Sequence, residues 1–459
     1  MSARKILLTP VTLVAAVVLL VSLGCLFWLR LSRPGGRSKI SQDSIILRLS
    51  GSNTIGAGLA PALAEEFLKQ QGATEVKTVP GDRDDEVRVR GVLPGDHAPK
   101  AIEIHAHGSV TAFKDLADGQ TDIGMASRRI KTEEAQQLAS LGEMTSPACE
   151  HILGLDGIAV IVSSKNPVRA LTKDQIAQIF KGAIGNWLQV GGPDGVIHLY
   201  ARDDKSGTYD TFRTLVLGNA PLAPAAARIE DSRRLSDSVA HDPNGIGFVG
   251  LAYVQDARSI AVYEEGAAPL LPSPFSVATE DYALSRRLFL YTPLHPQNEL
   301  TGKFVDFALS GVGQNIVAEI GFVSLNLMAA ANAATNSTAV PGDYRRLTSG
   351  SDRLSLDFRF REGSSQFDNK AVADLGRVIT FVTDLHYSGD NLMLLGFDDS
   401  KEATANLSKD RADAVAMQFQ QRGVKPATVV GFGSQIAVAS NDTPEGRQKN
   451  RRVEIWLRR

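Results

Sequence analysis

Four times between residues 45 and 210 a run of strand length ends in a short turn rich in serine, threonine and glycine. Ser50-Gly51-Ser52-Asn53-Thr54-Ile55-Gly56 runs off a strand into a helix N-terminus, and His107-Gly108-Ser109-Val110-Thr111 does the same. Ser127 stands just after the apolar strand in Asp122-Ile123-Gly124-Met125-Ala126. Arg202 precedes Ser206-Gly207-Thr208, after a strand over 196–200 and at the start of a helix. Open α/β sheets hold their ligands at the carboxyl ends of strands, which is where these turns fall. Glycine lets the backbone approach a ligand, and helix N-termini present free N–H groups with a partial positive charge. Such turns suit a small tetrahedral anion bound by neutral donors, and Arg202 adds a fixed fork of N–H groups. One turn of this kind alone is matched by an ordinary capped helix beside a surface arginine. Four in one stretch are much harder to assemble by chance.

The intervening pattern supports the same fold class. Strands are expected over 45–49, 101–104 and 123–125, and helices over 57–71 and from 112. Residues 157–162 form a continuous apolar run, as in a strand buried on both faces. Thr172-Lys173-Asp174-Gln175 reads as a capping box opening a helix to Phe180. Strands alternating with helices predict largely parallel sheets covered on both sides. The 459 residues exceed one core, so two or three units are expected, and the net charge of −2 argues against nucleic-acid binding. Only Cys25 and Cys149 are present, so no disulfide framework is expected, and Cys149 reads as an inert buried thiol.

Arg4 and Lys5 precede an apolar run long enough to span a bilayer. The expected order is a cytoplasmic tail over 1–5, a transmembrane signal anchor over 6–31 and a linker over 32–44. An α/β domain over 45–328, a linker over 329–350 and an α+β domain over 351–459 follow. A lipid anchor at Cys25, after Ser22-Leu23-Gly24, is the alternative to the spanning helix; either tethers the chain to a bacterial inner membrane with its bulk in the periplasm. The second linker is Ala/Asn-rich and ends in Pro341-Gly342-Asp343, with little that could pack. Beyond it the order of elements is β-α-β-α-β-β, ending in strands over 428–432 and 452–457.

Residues 45–326 resemble the periplasmic phosphate-binding proteins of ABC transporters. The likeness includes Ile179-Phe180-Lys181-Gly182, Asn186-Trp187, Asp242-Pro243-Asn244-Gly245-Ile246-Gly247-Phe248 and Phe304-Val305-Asp306-Phe307. It implies a two-lobed, type 2 periplasmic-binding-protein fold closing on its ligand by a hinge. The implied anion ligands are Thr54, the backbone of Ile55, Ser109, Ser127, Arg202, Ser206, Gly207 and Thr208. Family members carry an acidic residue directly after the serine matching Ser127, where it accepts the proton of monohydrogen phosphate. Arg128 stands there in this chain, so phosphate, sulfate and related oxyanions all remain open.

Residues 352–459 resemble the OmpA-like peptidoglycan-binding domain. The likeness rests on Gly396-Phe397-Asp398-Asp399, Leu407-Ser408-Lys409-Asp410-Arg411-Ala412 and the run from Asn441 through Asn450-Arg451-Arg452-Val453-Glu454-Ile455. It implies that Asp399 binds the ammonium of diaminopimelate and Arg411 its carboxylate, with Asp398 the alternative aspartate and a structural salt bridge the bland one. Arg447, Asn450, Arg451 and Arg452 read as fold-defining residues.

His105 and His107 share a strand face, but no third ligand follows at metal spacing. No nucleophile elbow, Walker loop or dinucleotide loop is present, so neither an enzyme nor a cofactor is expected. Together these features imply a membrane-tethered binding protein for phosphate or a related oxyanion, anchored to peptidoglycan and serving an ABC permease. The alternative is an anion sensor or envelope tether with no transport role.

Overall fold

The computed structural model describes residues 44–204, 206–218, 220–331, 340–384, 389–399 and 406–459. The expected signal anchor, the Cys25 alternative, the first linker up to residue 43 and residues 332–339 of the second linker lie outside them. Among the described residues no helix is long and apolar enough to cross a membrane.

The first lobe is built on β1 (Ser44–Gly51), β2 (Thr74–Pro80), β3 (Glu86–Val92), β4 (Lys100–His105) and β5 (Ile123–Ala126). The next strand, β6 (Glu150–Val162), is long and buried nearly throughout. The second lobe adds β7 (Ala170–Thr172), β8 (His198–Arg202), β9 (Ala227–Ile229), β10 (Gly245–Gly250), β11 (Arg258–Ser259) and β12 (Ala261–Tyr263). The chain then returns through β13 (Ser285–Tyr291). The main sheet runs β2-β3-β4-β1-β5-β13-β6-β10-β8-β9, with β11 also pairing to β6. β6 is the bridge between lobes: Glu150 to Gly157 pair with β13, and Ile158 to Val162 pair with β10. Two strands crossing between two layered units make a natural hinge.

The sheet is mixed, which corrects the expectation of largely parallel strands. β1 and β5 are parallel, as are β10 and β8. β13 runs antiparallel to both its neighbours because the chain must come back from the second lobe between β5 and β6. The hairpin β2–β3 extends the first lobe with strands that are half exposed and carry charges such as Lys77, Arg88 and Arg90.

A local signal placed the helix after β7. Thr172 Oγ1 accepts from Gln175 N at 3.0 Å and Gln175 Oε1 accepts from Thr172 N at 2.9 Å, the reciprocal bonds of a capping box. The helix they open, Lys173–Lys181, buries Ile176, Ile179 and Phe180 on one face. Phe180 meets Phe212 and Phe248 edge-on in the second-lobe core. The first lobe has its own core, where Phe67 packs against Phe304 and Phe307. Cys149 is buried, and burial raises its thiol pKa.

The C-terminal sheet runs β14 (Ala329–Ala331), β15 (Ser351–Arg359), β18 (Arg452–Arg458), β16 (Leu392–Phe397) and β17 (Thr428–Gly431) in that spatial order. Helices Asn369–Asp384 and Leu407–Gln420 cover one face, burying Val378, Val415 and Phe419 against Phe358 and Leu394. The described ends of the expected linker are structured. Ala329–Ala331 adds an antiparallel edge strand to β15, and helix Gly342–Thr348 buries Tyr344 among Phe397, Phe432 and Trp456. Three small residues suffice at an edge because backbone bonds, not side chains, hold it.

Residues 45–459 form one compact unit, so the C-terminal domain is docked on the binding lobes rather than held apart on a free tether. The seam is ionic and buried. Arg287 bridges Glu280 at 2.9 Å and Asp368 at 2.8 Å, and Arg353 reaches Asp281 at 2.9 Å. Burial alone would raise the Glu280 pKa, but the charges of Arg287, Lys370 and Arg359 outweigh it and hold the carboxyl down to about 2. A carboxylate depressed from its ordinary 4.5 stabilises the fold above that value and loses the contribution as pH falls through about 2. Urea unfolding should therefore show stability falling between about pH 4.5 and 2, by on the order of 3 kcal/mol from this group. Glu280→Gln flattens that acid limb and lowers stability at neutral pH; an unchanged acid limb contradicts the assignment.

Candidate functional site

The first three turns are laced together at the carboxyl ends of β1, β4 and β5. Ser52 N donates to Met125 O at 2.8 Å and Gly108 N donates to Gly51 O at 2.7 Å. Gly51 has φ +138°, and a Cβ there would lie 2.0 Å from Met125 O, so only glycine fits the crossing. Ser127 N donates to Ser109 Oγ at 3.0 Å, and the two hydroxyls stand 3.2 Å apart in a buried pair. Ile55 is buried, while Thr54 is half-buried at the edge of the cleft.

The fourth turn meets the first across the lobes. Ser206 caps helix Gly207–Phe212 by accepting from Tyr209 N at 3.3 Å. Thr54 Oγ1 donates to Gly207 O at 3.2 Å. A Cβ on Gly207 would lie 2.5 Å from Thr54 Cα, so the absence of a side chain is what lets the lobes touch. Thr208 is half-buried in the first turn of that helix.

Arg202 ends β8 and donates to Ser232 Oγ at the start of helix Ser232–His241. Its Nε is buried with no hydrogen-bond partner, and its closest carboxylate, Asp203, is 4.0 Å away. Burial lowers its pKa, with Asp203 and Asp231 opposing, which marks a cation short of compensating charge.

One arginine was not singled out from the sequence. Arg286 of β13 donates to Thr54 Oγ1 at 2.7 Å and to Gly207 O at 3.2 Å, and its Nε lies 3.4 Å from Asp156. Thr211 Oγ1 donates to the same carboxylate at 3.4 Å. Burial lowers the Arg286 pKa, and the charge of Asp156 opposes it. Two arginines opening an otherwise apolar strand were the available signal. Strand alternation sends such neighbours to opposite faces, and here Arg286 enters the cleft while Arg287 faces the C-terminal domain.

Arg128 is engaged by a bidentate pair with Glu134, at 2.6 and 2.8 Å, and lies 5.2 Å from the Phe113 ring centroid. Ser127, Arg128, Arg286, Lys173, Glu280 and Lys449 share the wall of a cavity of about 430 Å³ between the lobes and the C-terminal helix Pro444–Asn450. His107 Nε2 lies 3.0 Å from Glu86 and His105 Nε2 lies 3.5 Å from Glu103. Among the described residues no cluster of three or more His, Cys, Asp or Glu could hold a metal ion.

In the C-terminal domain Asp399 and Arg411 are both buried. Arg411 Nη1 donates to Asp398 Oδ1 at 2.9 Å and its Nε to Ser364 O at 3.1 Å. Asp399 Oδ2 accepts from Arg451 Nη1 at 2.9 Å. Asn450 accepts from Val438 N and donates to Ala439 O, and Arg452 pairs with Glu454, in keeping with fold-defining roles. Arg447 donates to Asn441 O and Asp442 O.

Two crossing strands, paired α/β lobes and a cleft of strand-end turns define a periplasmic-binding-protein architecture. The chain belongs to the PBP superfamily, whose domain matches residues 38–312, and it carries an OmpA family domain over residues 359–451. It is 30% identical over 236 residues to Protein SphX of Synechococcus elongatus, covering 49% of this chain and 69% of that protein. It is 26% identical over 231 residues to the phosphate-binding protein PstS of Borreliella burgdorferi, covering 49% of this chain and 80% of the other. Against the phosphate-binding protein PstS of Pseudomonas aeruginosa the identity is 28%, over 49% and 74% of the two chains.

Gly207→Ala tests the interlobe contact. The added methyl collides with the Thr54 backbone and holds the lobes apart. Small-angle scattering should show a larger radius of gyration for the variant than for the parent. An unchanged radius contradicts an interlobe contact made through Gly207.

Proposed function

We propose that this protein binds phosphate in the cleft between its lobes and is anchored to peptidoglycan by its C-terminal domain. Thr54, Ile55 N, Ser109, Ser127, Arg202, Ser206, Gly207 and Thr208 are its anion ligands, with Arg286 holding the closed lobes together. The observation that carries this reading is the meeting of Thr54 with Gly207 across the lobes, beside the laced turns that hold Ser109 and Ser127. The under-compensated Arg202 supports an anionic guest. The phosphate-binding names of the PstS relatives point to the same ligand. The hydroxyls and backbone N–H groups that the turns gather are donors, which supports binding of an anion.

Arg128 does not supply the acceptor that would reject sulfate, since its guanidinium only donates and is held by Glu134. Discrimination between phosphate and sulfate is therefore expected to be weaker than in a site with a carboxylate there. Asp399 and Arg411 are the proposed contacts for the ammonium and carboxylate of diaminopimelate. A membrane tether over 6–31 would place the cleft near an ABC permease and its ATPase in the periplasm. A second reading, a sensor or tether between inner membrane and wall, is favoured by the ionic seam that docks the C-terminal domain on the lobes.

Calorimetry of the full chain in detergent should give saturable phosphate binding, with sulfate competing. Arg202→Ala should weaken phosphate binding about 10- to 100-fold, corresponding to the ~1.5–3 kcal/mol of a charged hydrogen bond. Absence of binding by either anion sinks the ligand assignment. In a sedimentation assay with purified sacculi of diaminopimelate type, Asp399→Asn should remain in the supernatant while the parent pellets; equal pelleting rejects the wall contact.

A further inference from the structure

The docked C-terminal domain touches both lobes and the region where the chain crosses between them. On the first lobe Asn369 Nδ2 donates to Glu150 Oε1 at 2.9 Å and also to Thr145 O. On the second lobe Glu264 Oε2 accepts from Ser440 N at 2.9 Å. Between them Lys449 Nζ donates to Tyr282 O at 3.0 Å and Ser285 Oγ at 3.2 Å, and Arg359 donates to Thr279 O at 2.6 Å. Rotation of one lobe against the other cannot preserve all of these bonds, so opening the cleft loosens the docked domain.

Asp399, the proposed wall contact, is wired into the same seam. Asp399 is held by Arg451, which follows the helix Pro444–Asn450 that carries Lys449. Arg451 also lines a cavity of about 440 Å³ with Arg129 and Thr145 of the first lobe. An ammonium group that engages Asp399 competes directly with the Arg451 guanidinium for one carboxylate. Displacing Arg451 disturbs the segment that grips Tyr282 and Ser285. Lys449 is the weak point of that grip. Its burial pulls its pKa down to about 8, with Glu280 and Glu264 opposing and Arg359 and Lys173 adding to the shift.

Resting on the anion and wall readings above, we propose that the protein couples its two ligands. A diaminopimelate-containing stem peptide bound at Asp399 releases the C-terminal domain from the lobes and lowers the affinity of the cleft for phosphate. The physical basis is a run from Asp399 to Arg451, along the backbone to Lys449, and by its hydrogen bond to Ser285 of the crossing strand β13, with two states, docked and released. The coupling is negative and, as a linkage, reciprocal.

The test is phosphate calorimetry on the full chain, with and without saturating diaminopimelate-containing stem peptide, and the converse titration. The expected result is a phosphate Kd raised about 5-fold or more by the peptide, and a peptide Kd raised by the same factor by phosphate. The variant Asn369→Ala, which alters neither proposed ligand set nor the interlobe cavity, should bind both ligands with the coupling reduced. Equal phosphate affinity with and without peptide, in a chain that binds both, overturns the coupling and leaves both sites standing. Failure to bind phosphate removes the anion reading, failure to bind peptide removes the wall reading, and either takes the coupling with it.

Discussion

Two adjacent arginines on one strand organise this molecule. Arg286 and Arg287 open β13, and the pleat sends them to opposite faces. Arg286 reaches Thr54 and Gly207 and so joins the two lobes at the cleft. Arg287 binds Glu280 and Asp368 and so joins the binding domain to the C-terminal domain. β13 itself pairs with β5 of the first lobe and with the bridging strand β6. The strand that closes the sheet therefore also fixes the cleft and the seam, and a shift in it is felt at both.

The seam is an unusual place to spend charge. Arg353, Arg359 and Arg452 meet Asp281, Asp357 and Glu454 in a buried cluster to which only Asp281 comes from the binding domain. Taking ions out of water costs several kcal/mol each, and a well-packed apolar seam of equal area would be at least as stable. What such a cluster supplies instead is a defined register: removing one partner strands another charge, at a cost of about 3–5 kcal/mol.

What was legible in the sequence is what depends on near neighbours. The Thr172 capping box, the helices it and its kin open, and the four Ser/Gly/Thr turns are written in a few consecutive residues. The β-α-β-α-β start of the C-terminal domain was legible too, because each of those elements carries its own apolar period, but the expected β-β ending was not: helix Pro444–Asn450, polar along its length, stands between β17 and β18. The parts that were not legible depend on partners far along the chain. Arg286 finds Thr54 across 232 positions, and nothing local distinguishes it from a strand-end charge. Ala329–Ala331 looks like linker because its side chains do nothing, yet its backbone completes a sheet edge. Antiparallel β13 could not be told from a parallel strand, since an apolar run has no direction.

An anion seated among the laced turns is the central requirement of the proposed function. A crystal structure of the full chain grown with phosphate tests this most directly. The account predicts one tetrahedral density within hydrogen-bond distance of Ser109, Ser127, Arg202 and the N-terminus of helix Gly207–Phe212, with Arg286 still spanning Thr54 and Gly207. Phosphate density elsewhere, with the cleft turns unliganded at saturating concentration, would contradict it.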